Sequence, residues 1–348
     1  NKMLDQLEQY YGFDYTRKDL ILYALSIGLG SEDGCTDDDL RFLYETHAEF
    51  ASIPTFCLTI TFWANPPGTD QKSGRIPIFP PPLMTREPLI PKELLRGNDV
   101  DLSPYPIIHT WQSIVWETKV PIPSREDDFI HTWIDLKTIA VQPKSVGTFV
   151  TTESQVMCLD PNTRQNSLIC TLQSTALVFG ISKDVVSPYN AERIESIPQR
   201  PSLHQDTQPP ILEWTYPTSP NCALLYRIAS GDSNHIHVDH SVSEQMGSTK
   251  KAPLIHGLYS LAIAFRGILK VIPDADTRIR RLEARFSQPA FVGDVLLVRI
   301  WRGPDSEKDR DQLLFQVINQ ETGAILVDSG YAELAKRGQT TGPTRSRL

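Results

Sequence analysis

Between Gly231 and His240 the chain reads GDSNHIHVDH, which holds two aspartates, an asparagine and three histidines. A glycine at the head of this stretch can take the backbone angles of a tight turn and present Asp232 at its end. Asp232, Asn234 and His237 then fall within one turn or loop. A carboxylate and an imidazole held near one water can polarise it together, one removing a proton while the other orients or returns it. An amide such as Asn234 both donates and accepts, which suits it to holding a carboxylate or a water in place. Further on, His256-Gly257 precedes an apolar run. A Gly257 N–H at the start of a helix has no intrahelical acceptor, and the missing side chain lets a carbonyl approach: the requirements of an oxyanion hole. A water-activating pair beside an oxyanion donor suits addition of water to, or its removal from, an α,β-unsaturated thioester. The rival reading takes His235, His237, Asp239 and His240 as metal ligands. His-x-His spacing alone is a weak signal, so no metal is expected, and His235 and His240 are read as solvent-facing or structural.

These groups need rigid elements to hold them. After PLIHG, apolar residues recur at Leu258, Leu261, Ala262, Phe265, Ile268, Leu269 and Ile272, the period of a helix with one buried stripe. Asp294–Trp301 reads as a strand. Gln312–Leu334 reads as two strands joined at Glu321-Thr322-Gly323, and GTFVTTESQVMCL, DPNTRQN and SLICTLQSTALVFG as strand, turn and strand. A helix followed by long antiparallel strands predicts an α+β fold in each half.

The halves also echo one another. LYALSIGL (22–29) matches LYRIASGD (225–232), pairing Tyr23 with Tyr226, Gly28 with Gly231 and Leu29 with Asp232. PIIHT (106–110) matches PLIHG (253–257) in the same order, with the landmarks 86 residues apart in the first copy and 30 in the second. The expectation is a duplication in which the second copy keeps the polar chemistry and the first carries a Pro-rich insertion. The expected boundaries are a first unit at 1–186, a Pro-rich linker at 187–212, a second unit at 213–336 and a tail at 337–348.

Composition narrows the function classes. With 42 Asp+Glu against 34 Lys+Arg the net charge is −8, which argues against nucleic acid as the main partner. The five cysteines are scattered and never form Cys-x-x-Cys, so neither a disulfide framework nor a structural zinc is expected. No apolar run reaches the length of a bilayer span, and the first fifteen residues lack a signal-peptide core. The final Ser346-Arg347-Leu348 keeps the small–basic–Leu pattern of a peroxisomal address. It predicts an import receptor as partner and a peroxisomal, otherwise cytoplasmic, location.

YRIASGDSNHIHVDH followed by PLIHGLYSLAIAFRGIL resembles the MaoC-like hydratase 2 family, the (R)-specific enoyl-CoA hydratases. The first half, through YTRKDLILYALSIG, DLRFLYE and IPTF, resembles that of the eukaryotic form found in peroxisomal multifunctional enzyme type 2. The resemblance implies a double hot-dog, antiparallel sheets wrapped on a central helix in each of two repeats, with a degenerate first repeat that makes room for an acyl chain. It implies that Asp232 and His237 activate water, that Asn234 supports them, and that the Gly257 N–H is the oxyanion donor. It also implies CoA contacts from His109, Thr110, Lys144 and Phe286, to which Arg285 is added as the favoured phosphate contact among the basic residues near it. The substrate would be an acyl-CoA thioester, with no cofactor besides that CoA, and the chain a possible homodimer. His235 and His240 stand where the family has proline, Thr110 replaces a glycine, and residues are added around STKK. These departures leave a branched or polyketide-like acyl group in secondary metabolism as one alternative, and a hot-dog thioesterase as another.

Overall fold

The computed structural model describes residues 11–31, 35–66, 69, 74–77, 81, 90–97, 107–125, 128–160, 165–191, 208–245, 252–303 and 310–336. The first half contributes β1 (Tyr11–Tyr15), α1 (Arg17–Ser26), α2 (Asp37–Leu43), α3 (Cys57–Trp63), β2 (Ile107–Trp116), β3 (Ile130–Pro143), β4 (Gly147–Leu159), β5 (Asn166–Phe179) and the short β6 (Tyr189–Asn190). The second contributes β7 (Leu212–Pro217), α4 (Cys222–Ser230), α5 (His240–Gln245), α6 (Gly257–Val271), α7 (Ala275–Arg278), β8 (Ile279–Phe286), β9 (Val295–Arg302), β10 (Arg310–Asn319) and β11 (Ile325–Ala335).

All strand pairings are antiparallel and form one sheet in the order β1-β3-β4-β5-β2-β8-β11-β10-β9-β7, with β6 on β3. Outward from the β2–β8 seam the two arms have the same connectivity, so β1 to β5 correspond in turn to β7 to β11. The duplication expected from the sequence is thus visible in the topology. Its members are the antiparallel sheet and enclosed helix of a double hot-dog, in the α+β class.

The predicted strands at 147–159, 167–180, 294–301 and 312–334 correspond to β4, β5, β9 and the β10–β11 hairpin. The helix after PLIHG is α6, but it does not have a single buried stripe. Every residue from Leu258 to Ile268 is buried. The sheet wraps one side of α6, and the other side meets the opposite half: Arg266 donates to the Ile27 carbonyl (3.0 Å) and lies over the Trp214 and Tyr216 rings. An all-round apolar helix is what such enclosure requires.

The second sequence match fails. PIIHT does not precede a helix; Ile107 to Thr110 lie in strand β2. The counterpart of α6 is α3, and the counterpart of His256 is Thr55. Tyr23 Oη donates to Thr55 Oγ1 (2.9 Å), where Tyr226 packs on the His256 ring at 4.9 Å. The four-residue likeness of PIIHT to PLIHG is coincidental, because one is the exposed end of a strand and the other a helix entry. The insertion therefore lies between α3 and β2.

The first unit extends past residue 186. β6 pairs with β3, and the Ala191 N–H donates to the Ile139 carbonyl (2.9 Å), while Leu212 already belongs to β7. Residues 192–207 of the expected linker, the added 248–251 segment and the tail at 337–348, with its Ser346-Arg347-Leu348, lie outside the described residues. Among the described residues no helix is long and apolar enough to cross a membrane.

Candidate active site

The site begins at the end of α4. This helix stops because Gly231 adopts a left-handed conformation, φ +77°, with its N–H bonded to the Arg227 carbonyl at 3.0 Å. Gly231 is required on a second count: a Cβ there would stand 2.8 Å from the Trp63 ring. Trp63 ends α3 of the other half and donates its indole N–H to the Ala229 carbonyl (3.1 Å). The first half thus braces the turn that launches Asp232.

Asp232 Oδ1 accepts the Asn234 N–H at 3.3 Å. Asn234 Oδ1 in turn accepts the Ile236 N–H at 3.2 Å and so caps a single 3-10 turn, His235–His237. The amide's oxygen is spent on holding the turn that carries His237. His237 Nδ1 donates to the Leu254 carbonyl at 3.0 Å, which fixes the tautomer and leaves Nε2 as an acceptor. Nε2 lies 4.0 Å from Asp232 Oδ2, too far for a direct hydrogen bond. A water at ~2.8 Å from each atom would bridge them.

Burial raises the Asp232 pKa above the ordinary carboxylate value, opposed by the His237 charge and the Asn234 N–H. Burial lowers the His237 pKa, opposed by Asp232 and by the Leu254 carbonyl. The two values are driven toward each other, the condition under which a proton moves between two groups at low cost.

His256, to which the sequence reading gave no role, lies beneath this pair. Its ring stacks on His237 at 3.7 Å with 24° between planes, and its Nε2 donates to the Asp232 backbone carbonyl at 3.3 Å. It is 1% exposed, and burial holds its pKa well below the ordinary value, with the His237 charge acting in the same direction. A neutral imidazole therefore backs His237. No sequence signal separates His256 from any other histidine beside a helix start; only the fold brings it under residue 237.

Donor atoms of Asp232, His237 and His256 lie within 4.8 Å of one another, close enough to consider an ion. The stacking counts against it. Imidazole lone pairs lie in the ring plane, so rings that face each other do not converge on one centre. Asp239, from the metal reading, accepts from the Ser241 N–H (2.8 Å) and hydroxyl (2.6 Å) at the start of α5. His235 and His240 are exposed, as expected.

Gly257 is the first residue of α6, so its N–H has no acceptor within the helix and points out of the helix's positive end. A Cβ on Gly257 would meet the Phe286 ring at 3.2–3.4 Å. His109 also packs on Phe286, with ring centroids 4.9 Å apart. His109 Nε2 donates to the Trp111 carbonyl (2.9 Å), and burial lowers its pKa to about 4, so it is a neutral wall of the site. Thr110 donates to the Thr175 carbonyl (3.0 Å) and locks the bulge between His109 and Trp111. Lys144 is exposed in the β3–β4 hairpin, at the same end of the sheet and three strands from β2, or about 14 Å. Arg285 is exposed, and strand alternation puts it on the face opposite Phe286. Of the other basic residues, Arg278 is buried, bonded to the Ala335 carbonyl (2.7 Å) and to Asp274 and Asp311, which makes it structural.

At the corresponding described positions the first half has no such set. Leu29, in the place of Asp232, and Phe56, in the place of Gly257, are both buried in the core.

Residues 203–325 match the MaoC like domain, and residues 13–80 match the MFE-2 hydratase 2 N-terminal domain. The chain is 28% identical over 328 residues to the peroxisomal multifunctional enzyme type 2 of Drosophila melanogaster, covering 92% of this chain and 46% of that enzyme. It therefore spans less than half of that relative. A protein of Dictyostelium discoideum described as a probable enoyl-CoA hydratase 2 is 24% identical, with 94% of each chain covered. The crystal structure of a MaoC-like dehydratase from Phytophthora capsici superposes with a TM-score of 0.69 at 24% identity, covering 97% of this chain and 99% of that one.

Proposed function

We propose, on the premise that this chain belongs to the MaoC-like hydratase family, that it is a hydro-lyase adding water reversibly to a trans-2-enoyl-CoA to give a (3R)-3-hydroxyacyl-CoA. The observation that carries the reading is the 4.0 Å gap between Asp232 Oδ2 and His237 Nε2, backed by His256, the residue before the free helix terminus at Gly257. Water in that gap loses a proton to the pair as its oxygen bonds to C3. The electron pair of the C2–C3 double bond moves toward the thioester oxygen, which the Gly257 N–H stabilises. A proton from the pair then reaches C2 as the carbonyl re-forms. The product differs from the substrate by one water, and the reverse sequence is dehydration. Loss of one oxyanion donor costs about 3–4 kcal/mol in comparable sites.

The first half supports the reading by what it lacks. Its helix α3 has 7 residues against 15 in α6, and in this reading the acyl chain takes the space that the longer helix would fill. In this reading Phe286, His109 and Thr110 line the CoA side and the exposed Lys144 is offered to its phosphates, while Arg285, on the opposite face of β8 from Phe286, meets them only where the CoA passes the strand's end. The reaction draws on no cofactor beyond the CoA of the substrate. A peroxisomal setting, supported by the name of the Drosophila relative, and a homodimer complete the reading.

The test is turnover of trans-2-enoyl-CoAs. Asp232→Ala and His237→Ala should each lower kcat by about 10²–10⁴ with the far-UV circular dichroism unchanged. Wild-type turnover in either variant, or a 3S product on a chiral column, would refute the assignment. Release of free CoA, read with a thiol reagent, would point to a thioesterase instead.

A further inference from the structure

The β2–β8 seam pairs five residues, from Trp111↔Arg285 to Val115↔Arg281, and its midpoint is Ser113↔Glu283. An antiparallel pair has a local two-fold axis at its midpoint. Counting three residues onward from it reaches Phe286 on β8 and Trp116 on β2; counting four back reaches Ile279 and His109. Trp116 and Ile279 therefore stand where Phe286 and His109 stand at the site already described. Pro54, beside Thr55, likewise takes the place of Ile255, beside His256. A cavity of about 350 Å³ is lined by Trp116, Ile279 and Pro54 together with Arg41, Lys119 and Arg280. It is the vacated twin of the Asp232–His237 site, at the opposite end of the seam.

Its chemistry differs from that of its twin. Trp116 is 4% exposed and its Nε1 is buried without a hydrogen-bond partner; so is Nε of Arg41. Both atoms are donors only, so an acceptor is what the cavity lacks. Arg41 Nη2 is engaged by Asp276 at 2.6 Å and by the Pro273 carbonyl at 2.7 Å. That pairing neutralises Asp276. The other acid in the lining, Glu49, is exposed at the rim. Glu117 and Glu333 also act on Arg280, but neither lines the cavity. Lys119 and Arg280 thus leave the lining with three cations against two carboxylates. The rest is the hydroxyls of Ser52, Thr118 and Thr277, each donating to a backbone carbonyl, and apolar groups that include Pro54, Ile279 and the Trp116 ring.

We propose that this cavity is a second ligand site, which takes a small carboxylate or phosphate joined to a compact apolar group. The oxyanion accepts from Trp116 Nε1 and Arg41 Nε and is balanced by Lys119 and Arg280, while the apolar group fills the space against Pro54 and Ile279.

Calorimetric titration of the whole chain with phenyl phosphate, benzoate and benzyl alcohol tests this without reference to turnover. At least one of the two anions should bind with one-to-one stoichiometry, their ranking identifies the preferred oxyanion, and the alcohol should not bind. Trp116→Phe, which removes the donor and keeps the ring, and Arg280→Gln should each weaken that binding about tenfold. Asp232→Asn, at the twin site, should leave it unchanged. The proposal is overturned if neither anion binds more tightly than about 1 mM, if the alcohol binds equally well, or if both cavity variants bind like wild type. It is also overturned if Asp232→Asn abolishes binding, which would place the anion at the other site.

Discussion

His237 depends on its neighbours for its chemistry. The Leu254 carbonyl sets its tautomer, Asn234 caps the turn that carries it, and His256 lies flat against its ring. Burial lowers the His237 pKa from about 6.5, so the imidazole stays a base below that pH. The acid limb of kcat/KM should therefore fall below pH 6.5, and a limb centred above that value would contradict the arrangement. His256→Phe keeps the stacked ring and removes the bond to the Asp232 carbonyl. It should lower kcat about tenfold, the loss of one hydrogen bond, and leave KM near wild type. At this scale the sequence was informative where spacing is local: Asp232, Asn234 and His237 are within one turn and could be read together. Asn234, expected to support the pair, holds the turn through its side-chain oxygen on the Ile236 N–H and gives its own backbone N–H to Asp232 Oδ1. His256 was illegible because its contact with His237 is made across a separation of nineteen positions and depends on where α6 starts.

Two glycines set the elements around the site. At Gly257 alanine favours the helix, but its Cβ meets Phe286 at 3.2–3.4 Å, just where the thioester oxygen must approach. Gly257→Ala should keep the melting temperature within a few degrees of wild type and lower kcat at least tenfold, with partial rescue by Phe286→Ala in a double-mutant cycle. Gly231 is the opposite case. Its φ of +77° and the Trp63 ring at 2.8 Å leave no place for a Cβ, so Gly231→Ala should cost about 1–3 kcal/mol of stability in a denaturant titration. Long strands and α6 were legible from their periodicity. The role of PIIHT was not, since a proline and a histidine in four residues carry no information on whether a strand or a helix follows. Its proper counterpart, IPTF, shares almost no residue types with LIHG and is recognised only through the shared Tyr contacts, Tyr23 with Thr55 and Tyr226 with His256.

At the scale of the molecule, His256 is buried and His109 and His237 are half-buried, and desolvation lowers the pKa of all three. A depressed histidine is neutral in the folded state, while the unfolded chain takes up a proton below about pH 6.5. Stability should therefore decline as pH falls from about 6.5, and the His109 share of the loss should be complete near its folded value of about 4. Melting temperatures across that range check it, and a flat profile would deny the burial of these rings. That the two halves form one sheet could not be read from the sequence, because strand order is set by pairing between residues some 170 positions apart, as for Ser113 and Glu283. The same seam has an evolutionary consequence. In an assembly of two identical chains, each mutation strikes both sites at once, so a site can never be altered while its twin stands guard. Here the partners are encoded in tandem and joined strand to strand, their association does not weaken on dilution, and each pole of the seam is free to drift alone.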